Sequence, residues 1–141
     1  MDVREFCEYH NIYIDQLRAV GRNRWHPGDT TFRVVLKRPD NTTRSGERQL
    51  TVPEFTKFPD DSDEAGEAAL VMESLQMDAS TADNVYSAME LADDFGMDWH
   101  DEDEREQAER IYKGVKMYAR KLKQFLGEGL YEDFLFRIED Y

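Results

Sequence analysis

Hydrophobic residues recur along this chain with two different periods, and the change from one to the other divides it. Val3, Phe6, Cys7 and His10 fall at three- and four-residue spacing, which predicts a short amphipathic helix near residues 2–10. After Asn11 the spacing drops to two. Ile12 and Ile14 share one side while Tyr13 and Asp15 take the other, so 12–20 reads as a strand. Residues 21–29, with Pro27-Gly28-Asp29, read as a loop. Phe32, Val34 and Leu36 then alternate with Arg33, Val35 and Lys37, a second strand with one apolar and one mostly charged face. A polar turn between Pro39-Asp40-Asn41 and Ser45-Gly46 leads to a third strand near 48–55, through Leu50 and Val52. Pro53 lacks the N–H that a ladder needs, so this strand ends there or lies at an edge. Three strands joined in sequence favour an antiparallel meander.

From Pro59 the period becomes helical. Ala68, Leu70, Val71, Met72 and Leu75 predict a helix over about 65–79. Ser87 with Glu90 three residues later is a capping box, so a short helix starts at Ser87, and Gly96 stops it. The longest helix is expected over roughly 103–126, where Ala108, Ile111, Tyr112, Val115, Ala119, Leu122 and Leu126 draw one stripe. Arg120, Lys121 and Lys123 suit the negative end of its dipole, and Gly127 ends it. Tyr131, Phe134, Leu135 and Ile138 predict a last helix near 129–138. Strands first and helices afterwards imply an α+β fold: an N-terminal short helix and three-stranded antiparallel sheet followed by a C-terminal bundle of about four helices. The expectation is a single domain over 1–141, with a β-rich part at 1–58 and a helical part at 59–141.

Charge changes the picture more than composition does. With 141 residues and 40% hydrophobic side chains a core of ordinary size is available. Residues 1–58 hold 10 Lys+Arg against 8 Asp+Glu, and residues 110–141 hold 7 against 5. Between them, residues 59–109 hold 18 acidic side chains and one basic one, Arg105, so the whole net charge of −13 sits in the middle third. Such a segment repels nucleic acid and attracts a basic surface from a distance. Solubility or adaptation to high salt produces the same composition, and 12 Arg against 6 Lys is compatible with the latter. The single Cys7 excludes an internal disulfide and a cysteine-based zinc site. No apolar run approaches ~18 residues and the first five residues do not open a signal peptide. A cytoplasmic protein with no membrane contact is expected.

Candidate chemistry is sparse. Asp98-Trp99-His100-Asp101-Glu102-Asp103-Glu104 gathers oxygen and nitrogen donors, but it lacks the glycine and terminal bidentate glutamate of a calcium loop. His100 also has no second histidine at helical spacing, and helix capping accounts for the same acids, so no metal is expected there. His10 and His26 have no nucleophile nearby in sequence, and Cys7 lies on the apolar stripe beside Phe6. Phosphate-binding glycine motifs, Gly-x-Ser-x-Gly and His-Glu-x-x-His are all missing, so neither catalytic residues nor a cofactor are expected. Arg18, Arg22, Arg24, Arg33, Lys37, Arg38, Arg44 and Arg48 fall on or beside the sheet, with Tyr13, Trp25 and Phe32 among them. That mixture can bind single-stranded nucleic acid, and a solvated sheet face has the same composition.

One resemblance runs along most of the chain, in order. Asp78-Ala79-Ser80-Thr81, Asn84, Ser87 and Phe95-Gly96-Met97-Asp98 are followed by Ala108-Glu109-Arg110-Ile111-Tyr112 and Lys121-Leu122-Lys123-Gln124-Phe125-Leu126-Gly127. Upstream stand Phe32 to Arg38 and Leu50-Thr51-Val52-Pro53. The set resembles a family of uncharacterised small proteins of phages and prophages. The chain departs from that family at Ala88 and Leu91, where it tends to carry Phe and Trp, and in the longer, more acidic stretch Trp99 to Glu104. The resemblance implies a viral or mobile-element context and a fold, and little chemistry. Small accessory proteins of phages often inhibit host defence by binding. The expectation is therefore a non-enzymatic inhibitor of a host protein with a basic surface, a nucleic-acid-binding defence component of the CRISPR or restriction type. It would act through Asp93, Asp94, Asp98, Asp101, Glu102, Asp103 and Glu104, which cluster around one helix junction. The alternative is a nucleic-acid-binding accessory protein that uses the arginines of the sheet.

Overall fold

Asp2 starts the first helix by accepting the Glu5 N–H at 2.8 Å, while the Glu5 carboxylate accepts the Asp2 N–H at 3.2 Å. This reciprocal box fixes α1 at Val3–Tyr9 and turns Val3, Phe6 and Cys7 inward. The computed structural model describes residues 1–22, 30–55, 58 and 61–138. Strands β1 (Tyr13–Arg22), β2 (Thr30–Pro39) and β3 (Glu47–Phe55) form one antiparallel sheet in the order β1-β2-β3. Helices α2 (Glu64–Asn84), α3 (Ala88–Asp94), α4 (Glu102–Leu126) and α5 (Glu128–Arg137) follow, so the fold is α+β as the periodicity predicts. Pro53 lies within β3, which is an edge strand. The loop expected at 21–29 lies almost entirely outside the described residues, although Gly21 and Arg22 belong to β1.

The chain divides into two compact units, Met1–Glu73 with Glu132–Tyr141, and Ser74–Tyr131. Their boundaries fall inside α2 and inside α5, and neither coincides with the change of period at residue 59.

In the first unit the apolar faces of β2 and β3 bury Val34, Leu36, Leu50 and Val52, as alternation predicts. Phe6 sits 5.1 Å from Phe134 and 4.6 Å from His10, ring centre to ring centre. Phe58 closes on Phe55 and Phe32 at 4.8 and 5.4 Å. The outer face is held by charge: Lys37 reaches Glu47 at 3.3 Å and Asp15 at 3.5 Å, one cation bridging three strands. Two arginines depart from the expected basic face. Arg38 continues the inward row of Val34 and Leu36 and stands directly opposite Arg48 in the register. Both reach Asp40, which begins the turn between β2 and β3 and supplies the negative charge that two facing arginines need.

In the second unit Ala82, Val85, Leu91, Ala92, Ala108 and Val115 make a buried cluster, with Met97, Trp99, Ile111, Tyr112 and Ala119 packed against it. Polar ties fix α4 to the end of α2. Lys116 Nζ donates to the Ala82 carbonyl at 2.8 Å and lies over the Tyr112 and Tyr86 rings, and the Tyr112 hydroxyl donates to the Tyr86 carbonyl at 2.9 Å. Helix α2 runs past its expected end at 79 to Asn84 because polar residues there satisfy the backbone locally. Thr81 Oγ1 donates to the Met77 carbonyl and Asn84 Nδ2 to that of Ser80, while Ala79 and Ala82 are buried.

Asp40 yields a test in pH. It accepts the Thr42 hydroxyl at 2.6 Å and the Thr42 N–H at 2.9 Å; these bonds, with Arg48 and Arg38, hold its carboxyl below the ordinary value of 3.8. A depressed folded-state value means that the carboxylate stabilises the fold above the unfolded value, and that this is lost as pH falls through the folded one. Asp40→Asn should therefore unfold at lower urea than the wild type at pH 7, and the gap should narrow once the pH drops below 3.8. A gap that stays constant into that range would show that the charge of Asp40 stabilises nothing.

Candidate functional site

Helix α3 begins at Ser87, whose Oγ accepts the Glu90 N–H at 3.2 Å. The expected reciprocal bond is displaced by one residue: the Glu90 carboxylate accepts the Tyr86 N–H at 2.7 Å, not that of Ser87. The helix stops at Gly96, whose φ of +70° places it in the left-handed region that favours glycine. Met97 N–H then folds back onto the Ala92 carbonyl at 2.7 Å. A short connection follows, and Asp101 caps α4 by accepting the Asp103 and Glu104 N–H groups at 2.9 and 3.4 Å.

The seven carboxylates expected to bind a partner divide by what they do here. Asp98, Asp101 and Glu104 are knitted into the backbone. Glu104 accepts the Asp98 N–H at 2.7 Å, and Asp98 Oδ1 accepts the His100 N–H at 2.9 Å. Asp93, Asp94, Glu102 and Asp103 are exposed, and among the described residues their side chains have no hydrogen-bond or ionic partner. No carboxylate from Asp93 to Glu109 forms an ion pair among the described residues.

The helix dipole explains part of this charge. Glu102, Asp103 and Glu104 occupy the first turn of α4, where anions are favoured, and apart from Arg105 the cations of that helix lie in its later turns from Arg110 to Lys123. Asp93 and Asp94 are the reverse case. They end α3, whose last turn has no basic residue, so they sit at the negative end of that helix and weaken it locally. Folding does not account for them.

Beside them is an open concavity of about 340 Å³ lined by Met89, Glu90, Asp93, Met97, Asp98 and Trp99. The structure thus brings Asp93 and Asp98 to one cleft with three apolar side chains that the charge pattern does not single out. Met89 is 56% exposed, while Met97 and Trp99 rest on the buried cluster beneath. The sequence signal was Trp99 inside an otherwise polar run. The acids of the 59–73 stretch belong to the other unit, where Asp63 pairs with Arg4 at 2.6 Å and accepts the Gly66 N–H, and Glu67 accepts the Ser62 hydroxyl.

Other candidates are placed as follows. Burial first, then Glu73, Glu8 and Asp2, push the Cys7 thiol up to about 12, so it remains a protonated apolar group. His10 is held below the usual histidine value by burial and by Arg38, and it meets Phe6 at a tilt and Tyr9 edge-on. His26, Arg24 and Trp25 lie outside the described residues. Of the sheet cations, Lys37, Arg38 and Arg48 are engaged with carboxylates, whereas Arg18 and Arg33 stand directly opposite each other, exposed, with no carboxylate partner among the described residues. No group of three or more metal-ligating side chains converges among the described residues, and no helix there is long and apolar enough to cross a membrane. No protein-family model, curated protein or solved structure matches the chain.

The cap separates a structural acid from an exposed one. Asp101→Ala should lower stability in urea by about 1 kcal/mol, and Asp101→Asn, which keeps an acceptor oxygen, by no more than a few tenths. Equal losses in both variants would show that the charge of Asp101, not its capping bond, is what the fold uses.

Proposed function

We propose that this chain is a non-enzymatic binding protein whose α3–α4 junction engages a basic, nucleic-acid-binding surface of another protein in place of phosphate charge. In the context that the resemblance to phage and prophage proteins suggests, the partner is a host defence component and the outcome is inhibition. One observation carries the reading. Between residues 93 and 109 nine carboxylates face one arginine, none is neutralised by an ion pair among the described residues, and Asp93 and Asp94 stand where they oppose their own helix. Acids that their own helix dipole disfavours and no cation of the fold neutralises are open to a cation from another molecule. Association through such a surface is fast and falls with salt, because long-range steering is screened over ~8 Å at physiological ionic strength.

The variant Asp93→Asn, Asp94→Asn, Glu102→Gln, Asp103→Asn removes four charges that cap nothing. Wild-type chain immobilised at low salt should capture nucleic-acid-binding proteins from a bacterial lysate, release them to duplex DNA, and lose them in the variant. Identical captures by the two proteins would end the mimicry reading.

A second reading rests on Arg18 and Arg33. Like charges directly opposite each other destabilise a strand pair unless an anion bridges them, and phosphate would do so. If this pair binds nucleic acid, a low-salt mobility shift with single-stranded oligonucleotide should saturate in the micromolar range, weaken steeply with salt, and vanish in Arg18→Gln, Arg33→Gln. Free oligonucleotide at every protein concentration would remove it.

A further inference from the structure

We infer that the concavity between α3 and the connection to α4 is an anchor site for one arginine side chain of a partner protein. This rests on the binding function just proposed and goes beyond it: the acidic surface needs only charge, whereas the anchor needs shape and apolar contact as well.

Its walls combine two chemistries. Met89, Met97 and Trp99 offer an apolar lining, and Asp93 and Asp98 supply carboxylates from two different elements. An arginine is built the same way, with an apolar stem that packs and a charged planar head. The volume of about 340 Å³ lies at the small end of sites that enclose a ligand group, enough for one side chain. The acids differ in what they have left to give. Glu90 uses Oε2 for the Tyr86 N–H, and Asp98 uses Oδ1 for the His100 N–H. Glu90 Oε1, Asp98 Oδ2 and both oxygens of Asp93 are without a partner among the described residues, so Asp93 has the most to give. The C-terminal end of α3, which closes with Asp93 and Asp94, adds the negative pole of the helix. Trp99 brings an indole, the ring that best attracts a cation, to the lining, and its packing against the buried cluster beneath holds it in place. Arginine fits better than lysine because a guanidinium stacks flat on indole while donating in fixed directions to two carboxylates; an ammonium is a point charge and stays hydrated.

The test uses the full chain, labelled with nitrogen-15 and with methyl-labelled methionine, and blocked tripeptides Gly-Arg-Gly, Gly-Lys-Gly and Gly-citrulline-Gly as probes. Trp25→Phe assigns the Trp99 indole signal. The arginine peptide should shift that signal and the Met89 and Met97 methyls to saturation at millimolar concentration. The isosteric, uncharged citrulline peptide should leave them in place, and the lysine peptide should bind less tightly. Asp93→Asn and Asp98→Asn should each weaken arginine binding about fivefold, the size of an exposed charge pair. Met89→Ala, at an exposed position, should weaken it about threefold with no change in net charge. Arginine and lysine peptides that bind equally, or arginine binding untouched by Met89→Ala, would overturn the anchor while leaving the acidic surface standing. Unsaturable shifts spread along residues 93–109 would do the same. No response of any carboxylate-bearing residue to either cationic peptide at low salt would overturn both.

Discussion

The acidic junction proposed as a binding surface depends on apolar packing that holds like charges together. Leu91 and Ala92 of α3 share one buried cluster with Ala108 and Val115 of α4, so the connection between the helices has to turn within a short distance. The carboxylates of Asp93, Asp94, Asp98, Asp101, Glu102, Asp103 and Glu104 ride on that turn. Two unit charges ~4 Å apart repel by about 1 kcal/mol in water, and less at physiological salt. Burying Leu91 alone is worth about 2 kcal/mol. Packing wins, and the backbone offsets part of the remainder: N–H groups of His100, Asp103 and Glu104 bond to Asp98 and Asp101, and that of Asp98 to Glu104. A negative surface of this kind is stable because its core is not polar.

The regular elements were legible because each rests on a local rule. Alternation in Phe32, Val34 and Leu36, the cap at Ser87, the stripe from Ala108 to Leu126 and the stops at Gly96 and Gly127 all act within a few residues, and all appear where expected. What was not legible depends on partners distant in the chain or on competition between local rules. Arg38 and Arg48 read as surface cations until the register sets them face to face and Asp40 turns back between them. The apolar pattern of α2 gives out near residue 79, yet Thr81 and Asn84 side chains bond to carbonyls four residues earlier and the helix continues to Asn84. The unit boundaries fall inside α2 and α5, where periodicity does not change and so gives no signal.

The candidate site was half legible for the same reason. Runs of acid are visible in any sequence, and seven residues around one junction could be named from spacing alone. Their differing roles could not. Helix direction makes Glu102 to Glu104 favourable and Asp93 and Asp94 unfavourable, though the two groups look alike as letters. Likewise Met89, Met97 and Trp99 come from a helix and a connection, and only the return of Met97 onto Ala92 brings them beside Asp93 and Asp98.

Charge and cleft, taken together, suggest a division of labour that neither supplies alone. A dispersed negative surface raises the rate of encounter with any basic macromolecule, and it selects poorly because every lysine-rich or arginine-rich surface satisfies it. A cleft with an apolar floor discriminates, since it rewards a side chain that is apolar along its stem and cationic at its end and leaves a mere counterion hydrated. Salt screens both charge contributions at exposed carboxylates, but the apolar contact that the cleft would add is not screened. A protein that must find one basic partner among many therefore gains from placing its few unexplained acids, Asp93 above all, at the lip of a cleft and the self-explained ones, Glu102 to Glu104, on the helix beyond.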